Sequence, residues 1–400
     1  MDEVTRLLEL HQRAIEQVGR YPRRRFLYER LKNSPGRHLV GVVGPRGCGK
    51  TVLLRQLAAD TPDSLYVSLD TLSVKGDIFE LAGNLERALG VRTLFLDEVH
   101  FLPGFEAALK QVHDFLDVRV FFTSSVSLAM FESPHDLSRR VRLHLLPPFG
   151  LREYVWFRHG KLLDRLTLDD ILERRWSAEH LRLGAVEFAR YLAGGLLPFS
   201  LEEVDVLELQ KNVLAKILTG DLPRIARLPL DEVETIRRLV EFVGRSQVEG
   251  INYSSLSRNL GITKYKAQQY LQLLQKAFVL QVLQPAGSGV MREPKVLMAV
   301  PYRLLYQPPE RAAGGLREDF CAEALRAAGI ACGYLKSRRG RKTPDFLVET
   351  DSGRLVLEVG GKGKGRTQFK GVDVERKLIL SPDLESQGNR RPLLLLGYLH

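Results

Sequence analysis

From about residue 37, short apolar runs alternate with helix-length stretches. The runs Leu39–Val43, Leu65–Leu69, Thr93–Leu96, Val118–Phe122 and Val141–Leu146 are β-branched or aromatic-rich and four to six residues long. Apolarity without alternation suits strands buried on both faces, which predicts a parallel sheet with helices on either side. Pro147-Pro148-Phe149-Gly150 stops that rhythm. Before it, residues 1–36 read as helical and basic, with Arg20, Arg23, Arg24, Arg25, Arg30 and Lys32 ahead of Pro35-Gly36. After it, 151–245 reads as almost wholly helical, interrupted at Gly194-Gly195 and Leu222-Pro223. Residues 246–300 read as a helix, a turn, a second helix and a Gly-rich hairpin. The segment 301–400 returns to mixed α/β, with a helix over Glu318–Ala328 and strands over Asp345–Glu349 and Arg354–Val359. The expected organisation is thus 1–36, 37–150, 151–245, 246–300 and 301–400.

Candidate chemistry begins at the first of those strands. Gly44-Pro45-Arg46-Gly47-Cys48-Gly49-Lys50-Thr51 fits G-x-x-x-x-G-K-[ST], directly after an apolar strand and opening a helix. The glycines let backbone N–H groups wrap phosphates, and the helix N-terminus adds partial positive charge. Lys50 is expected to reach the β- and γ-phosphates of ATP, and Thr51 to hold Mg²⁺. Thr93–Leu96 ends in Asp97-Glu98. Asp97 is the expected second Mg²⁺ anchor and Glu98 the base that orients and deprotonates water. Val118–Phe122 runs into Thr123-Ser124-Ser125. If this strand lies between the other two, a hydroxyl faces the γ-phosphate, with Ser124 the first choice as sensor and Ser125 the second. Arg139 or Arg140, ahead of the fifth strand, is placed to reach a neighbouring subunit's nucleotide, which implies a homo-oligomer, plausibly a ring.

These residues resemble the AAA-type (AAA+) ATPases of archaea and bacteria, in the group that carries an uncharacterised C-terminal domain related to restriction-nuclease folds. GPRGCGKT, Leu69-Asp70, LFLDEVHFLPGFE (94–106), FFTSS (121–125), SRR and LPPFGLREY (146–154) carry the resemblance, and YLAGGLLP (191–198) extends it more weakly. The family usually shows Gly-Ser-Ser and Gly-Arg where this chain has Thr123-Ser124-Ser125 and Arg139-Arg140. The resemblance implies an α/β fold: a P-loop NTPase parallel sheet of AAA+ type, a helical segment, a winged helix and a small restriction-nuclease-like domain. Asp97-Glu98-Val99-His100 also spells a DExH helicase box, but the other helicase motifs are missing and that reading is set aside.

Downstream, Tyr253–Leu260 reads as a helix stopped by Gly261, with Thr263 capping a second helix over Lys264–Phe278. Ala267, Tyr270, Leu271, Leu274 and Phe278 form its inner stripe. Lys264, Lys266, Gln268, Gln269 and Gln272 form an outer face without acids, the chemistry of a recognition helix on DNA. Such modules also serve as protein–protein spacers. At the C-terminus, Asp345 and Glu358 on paired strands look like a PD-(D/E)xK nuclease hairpin. The lysine position holds Gly360, with Lys362 as a substitute, Glu318 as a further metal ligand and Gln368 as the following glutamine. Arg338, Arg339, Arg341 and Lys342 flank the acids as candidate phosphodiester contacts.

Charge strengthens the nucleic-acid reading. The 59 Lys+Arg against 48 Asp+Glu give a net +11, which favours polyanionic partners. Three cysteines at unrelated spacings make neither a disulfide framework nor a zinc site. The start Met-Asp-Glu-Val-Thr lacks a secretory pattern, and the longest apolar runs fall short of the roughly 20 residues a membrane helix needs. A cytoplasmic location without membrane contact is expected. The reading is an Mg²⁺-dependent ATPase coupled to binding and remodelling DNA. An ATP-gated metal nuclease and a regulatory ATPase switch with protein-binding C-terminal domains are the alternatives.

Overall fold

The structure is a computed structural model that describes residues 3–70, 77–126, 137, 139–247, 250–286, 293–335, 344–360, 369 and 374–400. The chain divides into two compact units, Met1–Pro148 and Phe149–His400.

In the first unit the apolar runs become β1 (Leu39–Val43), β2 (Ser64–Ser68), β3 (Thr93–Asp97), β4 (Arg119–Ser124) and β5 (Val141–Leu145). They form one five-stranded sheet in the order β2-β3-β4-β1-β5, and every pairing is parallel. This is the α/β sheet typical of P-loop NTPases. β4 does lie between β1 and β3, and it runs on to Ser124 because Thr123 and Ser124 pair with Val42 and Val43.

The two sheet faces are covered by different helices. Helices α1 (Glu3–Glu16), α2 (Leu27–Lys32) and α3 (Lys50–Ala59) precede α4 (Ile78–Leu89) and α5 (Phe105–Phe115). Leu53, Leu54 and Leu57 of α3 pack with Tyr28, Val40, Val42, Tyr66, Phe95 and Phe121. Leu81, Leu85, Leu109 and Val112 of α4 and α5 pack with Leu65, Val67, Leu94, Leu96, Val120 and Phe122. Alternate strand residues therefore feed opposite cores, as the pleat requires. Part of the basic N-terminal stretch also turns inward. Arg25 is 6% exposed and donates to the carbonyls of Cys48 and Pro147. Arg24 and Lys32 pair with Asp60 at 2.6 and 3.4 Å.

The second unit has a mixed sheet in the order β12-β11-β10-β9-β8. Its strands are β8 (Cys332–Gly333), β9 (Phe346–Thr350), β10 (Gly353–Val359), β11 (Arg376–Ser381) and β12 (Arg390–Pro392). β9 and β10 form the antiparallel hairpin expected across Asp351-Ser352-Gly353. Leu316, Phe320 and Leu325, on the long helix Pro309–Ala327, share one apolar core with Phe346, Leu357 and Leu378 of that sheet. Tyr154, Leu183 and Tyr191 from the helical segment join the same core. The helices Tyr253–Leu260 and Lys264–Lys276 stop and start where the local chemistry predicts. Gly261 takes φ +67, which is left-handed, and Thr263 accepts the Lys266 N–H. An antiparallel pair follows, β6 (Leu280–Leu283) with β7 (Lys295–Met298). The turn glycines between them, and Arg338, Arg339, Arg341, Lys342, Lys362 and Gln368, lie outside the described residues.

Candidate nucleotide site

The site is assembled at the C-terminal ends of β1, β3 and β4. Two glycines shape the loop after β1. Gly49, at φ +93, turns the chain into α3. A Cβ on Gly44 would lie 2.2 Å from the Leu146 carbonyl oxygen, so only glycine lets the loop pass beside the residue that follows β5. Cys48 is fully buried beneath the loop, and burial raises its thiol above the ordinary value. Lys50 is 4% exposed and donates to the carbonyls of Gly44 and Pro45, both at 3.0 Å. Its ammonium also lies 4.0 Å from Glu98 Oε1.

Asp97 and Glu98 are held by separate partners. Asp97 is 2% exposed. Tyr66, on β2, donates to its Oδ2 at 2.9 Å, Thr123 donates to its Oδ1, and the Thr51 hydroxyl favours the charged form of the carboxylate. Burial, then the neighbouring charge of Glu98, raises the Asp97 carboxyl above its usual value despite those bonds. Glu98 sits at φ +56, an αL position that re-aims the chain at the strand end. Its Oε2 accepts from the Ser125 N–H and hydroxyl, each at 3.0 Å, and lies 3.2 Å from His100 Nδ1. Burial alone would push this carboxyl up, but Lys50, His100, Arg46 and the Ser125 bond outweigh it and hold it below the ordinary value. Glu98 is therefore ionised at neutral pH, as a base must be.

The hydroxyls divide differently from the expectation. Thr123 bridges the acids, donating to Asp97 and accepting the Glu98 N–H at 2.9 Å. Ser125 binds Glu98. Ser124, the first choice as sensor, donates to the Val126 carbonyl at 2.7 Å and lies 3.3 Å from His100 Nδ1. The reason is the pleat. Tyr66, Phe95, Asp97, Phe121 and Thr123 alternate onto the α3 face, while Ser124 follows Phe122 onto the opposite one. His100, the last residue of the helicase-like box, is 7% exposed and part of this network. Tyr66 and His100 were missed, although the same alternation could have pointed to Tyr66.

The arginines are also distinguished. Arg140 donates to both oxygens of Asp114, at 2.7 and 3.0 Å, and with His113 it brings the Asp114 carboxyl down to about 2. Arg139 is exposed. The donor set Thr51–Asp97 suits Mg²⁺, a hard ion that takes one or two carboxylates and completes its shell with water and phosphate oxygens.

Elsewhere the expected surfaces are modified. Lys264 pairs with Glu293 at 3.2 Å and Lys266 with Glu232 at 2.8 Å, so the helix face taken to be without acids borrows them from other segments. Gln268 is half-buried and Gln269 exposed. At the C-terminal hairpin, Asp345 Oδ2 accepts the Val359 N–H at 2.8 Å, and Glu358 is 1% exposed. Lys295 comes between two of the expected ligands, 2.7 Å from Glu318 Oε2 and 3.3 Å from Asp345 Oδ1. Among the described residues no group of three or more His, Cys, Asp or Glu is arranged to hold a metal. The residues here do not fit the divalent-ion shell expected of Glu318, Asp345 and Glu358.

Comparison with known proteins follows the same division. Residues 36–155 match the family model described as an AAA domain, which spans all five strands of the first sheet. Residues 186–299 match a model described as a domain of unknown function. An uncharacterised protein of Methanocaldococcus jannaschii is 25% identical over 426 aligned residues, covering 94% of this chain and 89% of its own length. Among solved structures, C. elegans PCH-2 aligns with 66% of this chain and 68% of its own at 16% identity and a TM-score of 0.23. Similarity to an AAA domain thus extends over residues 36–155. Among the described residues no helix is long and apolar enough to cross a membrane.

Proposed function

We propose that the first unit hydrolyses ATP to ADP and phosphate with Mg²⁺, and that the chain couples this reaction to DNA. The observation that carries the proposal is the Thr123-bridged pair Asp97–Glu98, set beside a buried Lys50 at the end of a phosphate-binding loop. Thr51 and Asp97 would hold the ion, whose charge would offset that gathering on the phosphate oxygens. Lys50 exchanges the Gly44 and Pro45 carbonyls for the β- and γ-phosphates. Glu98, ionised and fixed by Ser125 and His100, orients a water and takes its proton. Thr123 keeps base and metal ligand in register. A Glu98→Gln chain should bind ATP with unchanged affinity and lose turnover. Retained turnover would mean that another group is the base.

The exposed Arg139 is the residue we assign to a neighbouring subunit's nucleotide, since Arg140 is held by Asp114. An Arg139→Ala chain should keep ATP affinity and lose kcat. A monomer with full ATPase activity, measured by light scattering alongside turnover, would refute the oligomer. The +11 charge and the two-helix segment with its β-hairpin, read as a winged helix, support DNA as the partner. ATPase rate is best measured with single-stranded, duplex and branched DNA at two salt concentrations. One form should stimulate, with affinity falling linearly against log salt. No stimulation and no salt-dependent binding would leave the ATPase without a nucleic-acid role.

A further inference from the structure

Asp345 of the C-terminal hairpin and Glu318 form a cluster with a residue from upstream. Lys295 opens β7, whose next three residues, Val296, Leu297 and Met298, are fully buried. Its side chain is 12% exposed and its ammonium lies 2.7 Å from Glu318, 3.3 Å from Asp345 and 5.0 Å from the Phe346 ring centroid. The anions come from two elements, the long helix Pro309–Ala327 and the chain entering β9, so the ammonium ties three segments together. Asp345 is also fixed from β10 through the Val359 N–H.

We propose that Lys295 is the permanent cation of this acidic cluster. It takes the place that a divalent ion occupies in a hydrolytic carboxylate site, so the domain is a non-cleaving scaffold. The physical argument is charge and volume. Two carboxylates whose side chains are only 14% and 10% exposed need a counter-charge. One ammonium within 3.3 Å of both supplies it and fills the space between them. Burial alone would lower the lysine's pKa, but Asp345 and then Glu318 outweigh it and take it up to about 12. Removing that ammonium leaves the two carboxylates without the counter-charge they share. This inference does not depend on ATP hydrolysis and is tested without nucleotide.

The test uses the full chain carrying Asp97→Asn in every arm, which removes the other carboxylate expected to bind a cation. Mn²⁺ is titrated and followed by electron paramagnetic resonance. With Lys295 present, the free-ion signal should be undiminished by the C-terminal cluster. Bound Mn²⁺ that disappears on adding Asp345→Asn would overturn the proposal, and this arm needs no change at Lys295. Lys295→Met should lower Tm by about 10 °C, the loss expected for a broken buried ion pair. That variant should gain Mn²⁺ binding that Asp345→Asn abolishes, and Lys295→Met/Glu318→Gln should recover much of the Tm. An unchanged Tm in the single variant refutes the ion pair. Mn²⁺-dependent cleavage of plasmid or branched DNA by the otherwise unaltered chain, lost in Lys295→Met, would also overturn it and make Lys295 catalytic.

Discussion

Thr123 is the side chain on which the candidate nucleotide site turns, because one hydroxyl holds both Asp97 and Glu98. Thr123→Val keeps the shape and removes both hydrogen bonds. Losing about 1–3 kcal/mol of positioning corresponds to a roughly 5- to 150-fold fall in kcat. Ser124→Ala should fall well short of that, and steady-state ATPase assays compare the two directly. His100 sets a second prediction. It is one of the charges that hold Glu98 below its ordinary pKa, after Lys50. Removing it in His100→Ala moves the Glu98 pKa up, so the acid limb of the kcat profile should shift to higher pH. The linkage has the matching sign. A carboxyl depressed in the fold contributes stability above its unfolded pKa, and that contribution is lost as pH falls through the folded value. A pH profile with an unmoved acid limb would show that His100 does not tune the base.

At the scale of elements, strand alternation and helix punctuation do most of the work. Gly261 ends one helix at φ +67 and Thr263 starts the next. Gly261→Ala should destabilise by about 1 kcal/mol through strain at that left-handed position, read by thermal unfolding. Gly44→Ala acts differently, since its Cβ would meet backbone rather than a flexible side chain. The loop has to shift, and ATP affinity should fall together with stability. The five strands, the phosphate loop, the Asp97-Glu98 pair and the β9–β10 hairpin were legible because each is a local pattern of apolarity, glycine or charge. The choice of Thr123 over Ser124 was equally local. It follows from counting by two from Phe121, a step the motif alone does not supply.

Across the whole molecule the decisive interactions join residues distant in sequence. Arg303 is 1% exposed and Asp319 is not exposed at all. They form a paired contact at 2.6 and 3.0 Å. Arg303 also donates to the carbonyls of Val243 and Ser246, and Asp319 accepts the Met298 N–H. Arg303→Met leaves a buried carboxylate unpaired and should cost ~3–5 kcal/mol, while Arg303→Met/Asp319→Leu should recover most of that. Denaturant unfolding of both variants checks it. A double variant as unstable as the single one would show that the carbonyl contacts, rather than the charge, hold these segments.

What the sequence determined by itself is whatever depends on neighbours in the chain: strand and helix periods, the glycine-rich loop after β1, the acids that end β3, the caps at Gly261 and Thr263. Tertiary structure alone decided which charges meet. It brought Lys295 to Glu318 and Asp345, Glu293 and Glu232 to the lysines of the helix Lys264–Lys276, Asp114 to Arg140, and Arg25 beneath the phosphate loop. A charged side chain carries no periodic mark of its partner. Burial and Coulomb attraction act through space, so a basic stretch reads the same whether it faces solvent, a phosphate or a carboxylate many residues away.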